Sequence, residues 1–495
     1  MDFLDPRKRR AHHIRLMIGY GLMAVAIVLT ATILVYWAYG YGFNTKTGGV
    51  VENGLLFVDS KPGGATIYLN GQNQNETTSA RMVLTGGAYD LSLKKDGYID
   101  WQRRTTVSEH SVLRMVYPFL FPKEPKTEAL KSYSLSPAIM TASPDRRWLL
   151  LLPQNGQVSP TFEMFDTDKP NQSPQAVSIP TQLLNGAGRP GSSLSVIGWA
   201  NDNDRLLLKH AYDGGLEFII FNRANPAASV NLNRLFNFNP TDIALVNKKI
   251  DQVYLYGEAD NALLLGDINR ANLQPLLKRV LNFKSLDNNL LLYVTDQEAA
   301  AGQVLVKIWD NGKSYQLTTL PAGSKYLIQA AQFQSHWYYV ASSDQSKRIN
   351  IYKDPLDGLK DPARAVASPF IALINSSAEN VAVSNNSRFI AAQRGQRFAV
   401  YDIESQTRYQ VSLPLTTQKP LKWMDGHRWI GNVEGSVFIM DFDGQNQRKL
   451  VPSLTDDILF DGDFNRMFNL VTATDGKSTI LQLTDLRAGV DLPKP

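Results

Sequence analysis

The sequence predicts an all-β ectodomain carried on one N-terminal transmembrane helix: a small β module, then a β-propeller of eight blades, with seven as the alternative. Three observations lead there. Residues 16–39 (LMIGYGLMAVAIVLTATILVYWAY) carry no charge. Between Gly54 and Tyr117, short alternating strands are punctuated by glycine turns. From Ser132 to the C-terminus a four-strand unit recurs about every 45 residues, the period of a propeller blade.

The apolar run comes first. At 1.5 Å per residue, about two dozen residues cross roughly 30 Å of hydrocarbon. Arg7, Lys8, Arg9, Arg10 and Arg15 precede it, whereas Lys46 is the only cation close behind. The positive-inside bias then makes residues 1–15 a cytoplasmic tail and exports everything after the anchor at residues 16–41. Trp37 and Tyr39, with Tyr36 and Tyr41, are placed where interfacial aromatics gather. The run exceeds the apolar core of a cleaved signal peptide, and no small-x-small site follows it. The expectation is an uncleaved, single-pass anchor in the cell membrane.

Composition narrows the classes. The chain has 495 residues, 43% hydrophobic and 20% charged, enough for several full cores. Its net charge of +5 is mostly local, because beyond Arg15 there are 46 cations against 44 acids. A near-neutral ectodomain carries no nucleic-acid footprint. Cysteine is absent, which removes disulfides, thiolate metal sites, cysteine nucleophiles and a lipidated cysteine anchor. An exported chain without disulfides points to a bacterial cell envelope.

Residues 42–53 read as a polar linker. The module at residues 54–117 follows. Leu56 and Val58 alternate with their neighbours, Pro62-Gly63-Gly64 breaks the strand, and Asn70-Gly71 is a hairpin turn. Met82-Val83-Leu84, a Gly86-Gly87 turn and the alternating Tyr89-Asp90-Leu91-Ser92-Leu93 come next. Asp96-Gly97-Tyr98 turns toward Trp101 and a last strand ending at Val107. Tyr98 and Trp101 read either as an exposed pair for stacking on sugars or as core, and the core is the expectation, more for Tyr98 than for Trp101, because so small a module needs the area of its aromatics.

Pro62-Gly63-Gly64-Ala65, Ile67-Tyr68-Leu69-Asn70-Gly71, Gly87-Ala88-Tyr89 and Lys95-Asp96-Gly97-Tyr98 fall in order and resemble the PEGA domain. Gly63 stands where that family has its naming glutamate, and Asn75-Glu76-Thr77-Thr78 where it usually has Gly-x-Thr-Pro. The resemblance implies a small β-sandwich with a surface-associated interaction or spacer role and no catalysis.

Pro118–Lys131 contains three prolines and reads as a semi-rigid connector to a propeller at residues 132–495. Second strands of the repeat begin near Trp148, Leu206, Val253, Leu290, Trp337, Phe389, Trp429 and Met467. Third strands read FEMFD, EFIIFN, ALLLGD, LVKIWD, INIYK, FAVYD, VFIMD and ILQLTD. After Leu481 the last unit has only Val490-Asp491-Leu492 left for a fourth strand, so Lys131–Leu135 is expected to close the ring. Ser143-Pro144-Asp145 with Trp148, Ser384-Asn385-Asn386 with Phe389, and the acids ending the third strands resemble TolB-like and WD40-like repeats. Residues 171–193, rich in Pro, Gly, Ser and Asn, read as an enlarged loop suited to binding.

The sequence shows no catalytic motif. The histidines at 110, 210, 336 and 427 lack ligand spacing, Asp461-Gly462-Asp463 lacks the rest of a calcium loop, and no Gly-x-Ser-x-Gly elbow occurs. No cofactor or metal is expected. The reading is a membrane-anchored binding or scaffold protein whose propeller meets a cell-envelope protein or glycan. Its rival is an exported hydrolase or lyase acting on glycan from the propeller channel.

Overall fold

The computed structural model describes residues 6–38, 41–43, 50–154, 159–185, 187–361, 367–374, 377–413 and 419–491. The chain divides into two units. One holds the N-terminal residues through Glu124 together with the chain from Arg487; the other is Pro125–Leu486.

In the first unit, one helix runs Pro6–Ala38. Residues 12–36 form a span long and apolar enough to cross a membrane, and none of its window is buried by protein. Thr30 and Thr32 donate their hydroxyls to the carbonyls of Ala26 and Val28, each at 2.8 Å, so neither presents an unpaired donor within the apolar span. The helix begins inside the stretch expected to be a tail, since Arg, Lys and Ala are good helix formers. The expected linker also carries structure. Tyr41–Phe43 pairs antiparallel with the start of Val50–Val58.

The rest of this unit is a sandwich of two four-stranded sheets. Val50–Val58 pairs with Ala80–Thr85 and, in parallel, with Val112–Met115, a strand the sequence reading lacked. The other sheet orders Gln72–Thr77, Thr66–Leu69, Gly87–Lys94 and Trp101–Val107. Asn70 and Gly71, both at positive φ, make the two-residue hairpin that their sequence predicts. Gly86, by contrast, links strands of different sheets. Alternate residues Leu56, Val58, Ile67, Leu69, Leu91 and Leu93 fill the core. Phe119, Leu120 and Phe121 are also buried in this unit, so the expected connector begins as sandwich core.

The second unit contains, among the described residues, eight antiparallel four-stranded sheets, numbered in chain order as blades 1 (residues 139–178), 2 (193–231), 3 (242–277), 4 (280–321), 5 (326–374), 6 (380–412), 7 (422–452) and 8 (459–485 with 126–133). Each expected second and third strand lies at its place. Second strands are rich in apolar residues because both their faces are covered. Leu206 and Leu208 pack toward blade 1, while Leu207 between them packs toward blade 3. The same alternation repeats between blades 3 and 4, 4 and 5, 5 and 6, and 8 and 1. Blades 6 and 7 meet through Phe389 stacked on Trp423 and Phe398 against Trp429. Within the expected enlarged loop, Gln175–Ser178 is in fact the fourth strand of blade 1.

Closure is made by Lys126–Tyr133, which pairs antiparallel with Thr479–Asp485 as the outer strand of blade 8. The closing strand thus starts five residues before the expected Lys131, within the stretch read as connector. On its far side, Tyr133 and Lys131 both donate to Glu163 of blade 1, at 2.8 and 2.7 Å. Burial and this carboxylate push the Tyr133 phenol well above its ordinary range.

Candidate functional site

First strands of successive blades neighbour one another and surround the propeller axis. The turns joining each first strand to its second ring one mouth of the resulting channel. Their conformation is dictated locally. In blade 1, the Asp145 carboxylate accepts from the Ser143 hydroxyl and the Arg147 amide, while Ser143 Oγ accepts from the Trp148 amide. In blade 6, Ser384, Asn386, Arg388 and Phe389 repeat this pattern. Arg146 and Ser387 occupy the same left-handed position, at φ 61° and 60°. These bonds satisfy turn amides that would otherwise lack partners.

Hydrogen bonds then link one turn to the next. The Asp145 amide donates to Asn203 Oδ1 (2.9 Å), the Asn201 amide to the Lys248 carbonyl (2.9 Å), and Asn247 Nδ2 to Asn289 Oδ1 (2.6 Å). Across the mouth, Arg146 donates to the Met424 carbonyl, and its guanidinium lies 3.9 Å from the centre of the Phe464 ring. Burial lowers the Arg146 pKa, which Asp425 and Asp461 oppose. A Cβ at Gly426 would come within 2.5 Å of the Asn386 side-chain amide, so a larger residue there requires that amide to shift.

The mouth opens into a cavity of about 940 Å³ lined by blades 1, 3, 4, 5, 6 and 8. Its wall carries three cations (Arg146, Lys248, Lys284) and two acids (Asp145, Asp287). Amides come from Asn247, Gln329, Gln332 and Asn385, and Trp337 supplies an aromatic edge. Such a wall can hydrogen-bond a polar chain, neutralise its negative groups and offer an indole for stacking. Among the described residues, no group of three or more His, Asp or Glu is arranged to hold a metal ion.

The anchor and PEGA-like residues singled out from sequence lie elsewhere. Arg10 and Arg15 are exposed on the N-terminal helix. Arg7, Lys8, Arg9 and Trp37 fall within its bounds, while Tyr39 lies outside the described residues. In the sandwich, Pro62 and Gly63 lie in the turn before Thr66–Leu69, Gly64, Gly71 and Gly97 take positive φ, and Ala65 and Tyr98 are fully buried. Lys95 Nζ donates to the Gly63 carbonyl (2.6 Å), fastening the Pro-Gly-Gly-Ala turn to the Lys-Asp-Gly-Tyr turn. The same unit includes the chain end: Tyr98 Oη accepts from the Ala488 amide (2.7 Å) and donates to Asp491 (3.0 Å). Pro144, Asp145, Trp337, Ser384 and Asn385, named from sequence only as marks of the repeat, line the channel, whereas the other residues from blades 3, 4 and 5 were missed although they too lie at or just after the ends of first strands. The Asp461 segment is a turn: its carboxylate accepts from the backbone amides of Asn465 and Arg466.

Residues 53–119 match the PEGA domain family. This segment is a PEGA domain. No curated protein matches the chain. Solved structures that align with it include an oligogalacturonate lyase in complex with manganese, at 9% identity and TM-score 0.38, over 74% of this chain and 98% of that one. Hsv2 of Kluyveromyces lactis aligns at 10% identity and TM-score 0.37, over 70% and 97%. An uncharacterized protein of Listeria monocytogenes aligns at 12% identity and TM-score 0.38, over 68% and 94%.

Proposed function

We propose that the chain is a membrane-anchored, extracytoplasmic binding protein of the bacterial cell envelope. In this reading the basic N-terminus stays in the cytoplasm, the PEGA domain acts as a spacer, and the propeller channel takes the ligand. The observation that carries it is the channel wall, where amides, an indole and unequal opposite charges replace a convergent set of acids or histidines. A polymer rich in hydroxyls with some carboxylates, such as an envelope glycan, matches that wall best. Amides pair with hydroxyls, Lys248 and Lys284 with carboxylates, and Trp337 with an apolar sugar face. A protein segment of similar polarity is the other partner of this class.

The test is retention of envelope fractions by the full chain in detergent. Lys248→Glu combined with Lys284→Glu is expected to weaken retention at least tenfold while leaving the melting temperature unchanged, since both lysines are exposed. Equal retention by the double variant would place the partner surface away from the channel.

A further inference from the structure

A second constellation lies in blade 2, on the face opposite the channel mouth described above. The hairpin Arg205–Tyr212 and Gly215–Asn222 pairs Tyr212 with Gly215, so His210 stands opposite Glu217. His210 Nδ1 is 2.8 Å from Glu217 Oε1. On its other edge, His210 Nε2 is 2.8 Å from Ser192 Oγ. His210 and Glu217 are each 1% exposed, whereas Ser192 is on the surface. Ser192 thus stands at the surface, with His210 and Glu217 beneath it.

Further groups fix the proton inventory. Glu217 also accepts from Asn231 Nδ2 (2.7 Å) and from the Asn185 amide (2.9 and 3.2 Å to its two oxygens). Asn231 and Asn185 can only donate to these oxygens, as an ionised carboxylate accepts. In the tautomer with its proton on Nδ1, facing Glu217, His210 accepts from the Ser192 hydroxyl at Nε2. Nucleophile, base and orienting acid meet the geometric criteria for an activated serine. The loop holding Ser192 is itself tied down. The Asp213 amide donates to the Pro190 carbonyl (3.0 Å), and Gly191 takes φ 67°, where a Cβ would meet Asp213 Oδ1 at 2.5 Å. Leu184, at the other end of the loop, is buried among the blade 1 and blade 2 side chains.

The geometry points to Ser192 as the nucleophile of a Ser–His–Glu esterase site. Ser192 Oγ attacks the carbonyl carbon of an acyl ester as its proton passes to His210 Nε2. The tetrahedral adduct collapses, the C–O bond to the alcohol breaks, and His210 returns the proton to the departing alkoxide. Water, deprotonated by the same Nε2, then attacks the acyl-serine, releasing the carboxylic acid and restoring the serine. Glu217 stays ionised throughout and stabilises the imidazolium between the steps. Because Ser192 stands on an exposed loop, the substrate class is an ester displayed at the surface of a larger molecule, such as an O-acylated polymer.

The experiment treats the full chain in detergent with a biotinylated fluorophosphonate and locates the adduct by mass spectrometry. With this probe Oγ–P forms, P–F breaks and fluoride leaves, so the readout is independent of the natural ester. The expected result is an adduct on Ser192, formed at least tenfold faster than on any other serine. It should be lost in Ser192→Ala, retained in Ser193→Ala and slowed at least tenfold in Glu217→Gln. Absence of a Ser192 adduct on the parent protein with an intact melting transition would overturn the assignment, as would labelling unchanged in Ser192→Ala. The parent measurement decides the matter even where a buried substitution fails to fold.

Discussion

Tyr98 shows how much one side chain carries. Its ring is fully buried, and its hydroxyl bridges the Ala488 amide and Asp491. Tyr98→Ala should therefore cost about 3–5 kcal/mol in the PEGA domain, and Tyr98→Phe only about 1 kcal/mol. Hydrogen exchange across Gly87–Lys94 in the full chain reads both. The core placement of Tyr98 and Trp101 was legible, because a small sandwich must bury its aromatics. The hydroxyl's partners were not, since they lie some 390 residues away. The same holds for the blade 2 triad. An Asp213-Gly214 turn sets His210 opposite Glu217 and could have been read from sequence, but Ser192 arrives from the preceding loop. His427 offers a pH test. Burial first, and then Arg428, lower its pKa to about 4 from the ordinary 6.5. Between these values the unfolded chain binds a proton that the native chain does not, so stability present above pH 6.5 is lost as pH falls toward 4. Thermal melts should show a decline of about 2 kcal/mol from pH 7 to pH 4.5. The decline should be smaller in His427→Gln; equal declines would mean that other groups dominate acid sensitivity.

Two chain segments take roles that the sequence located only in part. The repeat count left the last blade one strand short, and this deficit correctly required a strand from the N-terminal side. What periodicity could not show was where that strand begins, because Lys126–Tyr133 alternates weakly and its outer face is exposed. The C-terminal residues, a rival source for that strand, instead join the PEGA unit: Lys95 pairs with Asp491 at 2.8 Å. Deleting residues 126–133 should abolish the propeller's cooperative melt, since blade 8 then exposes an unpaired edge and loses the Glu163 anchorage to blade 1. Deleting residues 487–495 removes none of the described propeller strands, the last of which ends at Asp485. That deletion should leave the propeller's melting temperature within about 1 °C while weakening exchange protection around Tyr98. A propeller that melts early after the second deletion would show that the ring depends on the chain end.

At the scale of the molecule, the order of anchor, PEGA domain and propeller was readable from three different signals: hydrocarbon length, turn motifs and a repeat period. The channel was legible only as recurring turns after first strands, because the convergence of six blades on one cavity is set by ring closure and not by any local pattern. Function in this account depends on which side of the membrane the propeller occupies. The absence of native cysteine makes that directly measurable. Asp2→Cys and Lys477→Cys, one at each end of the chain, can be treated in intact bacterial cells with a membrane-impermeant maleimide. Lys477 lies on an exposed hairpin turn, so the probe can reach it in the folded protein. The expected result is labelling of Cys at position 477 in intact cells, labelling at position 2 only after permeabilisation, and both variants in the membrane pellet. Labelling at position 2 alone in intact cells, or release of the position-477 variant into the soluble fraction, would contradict it.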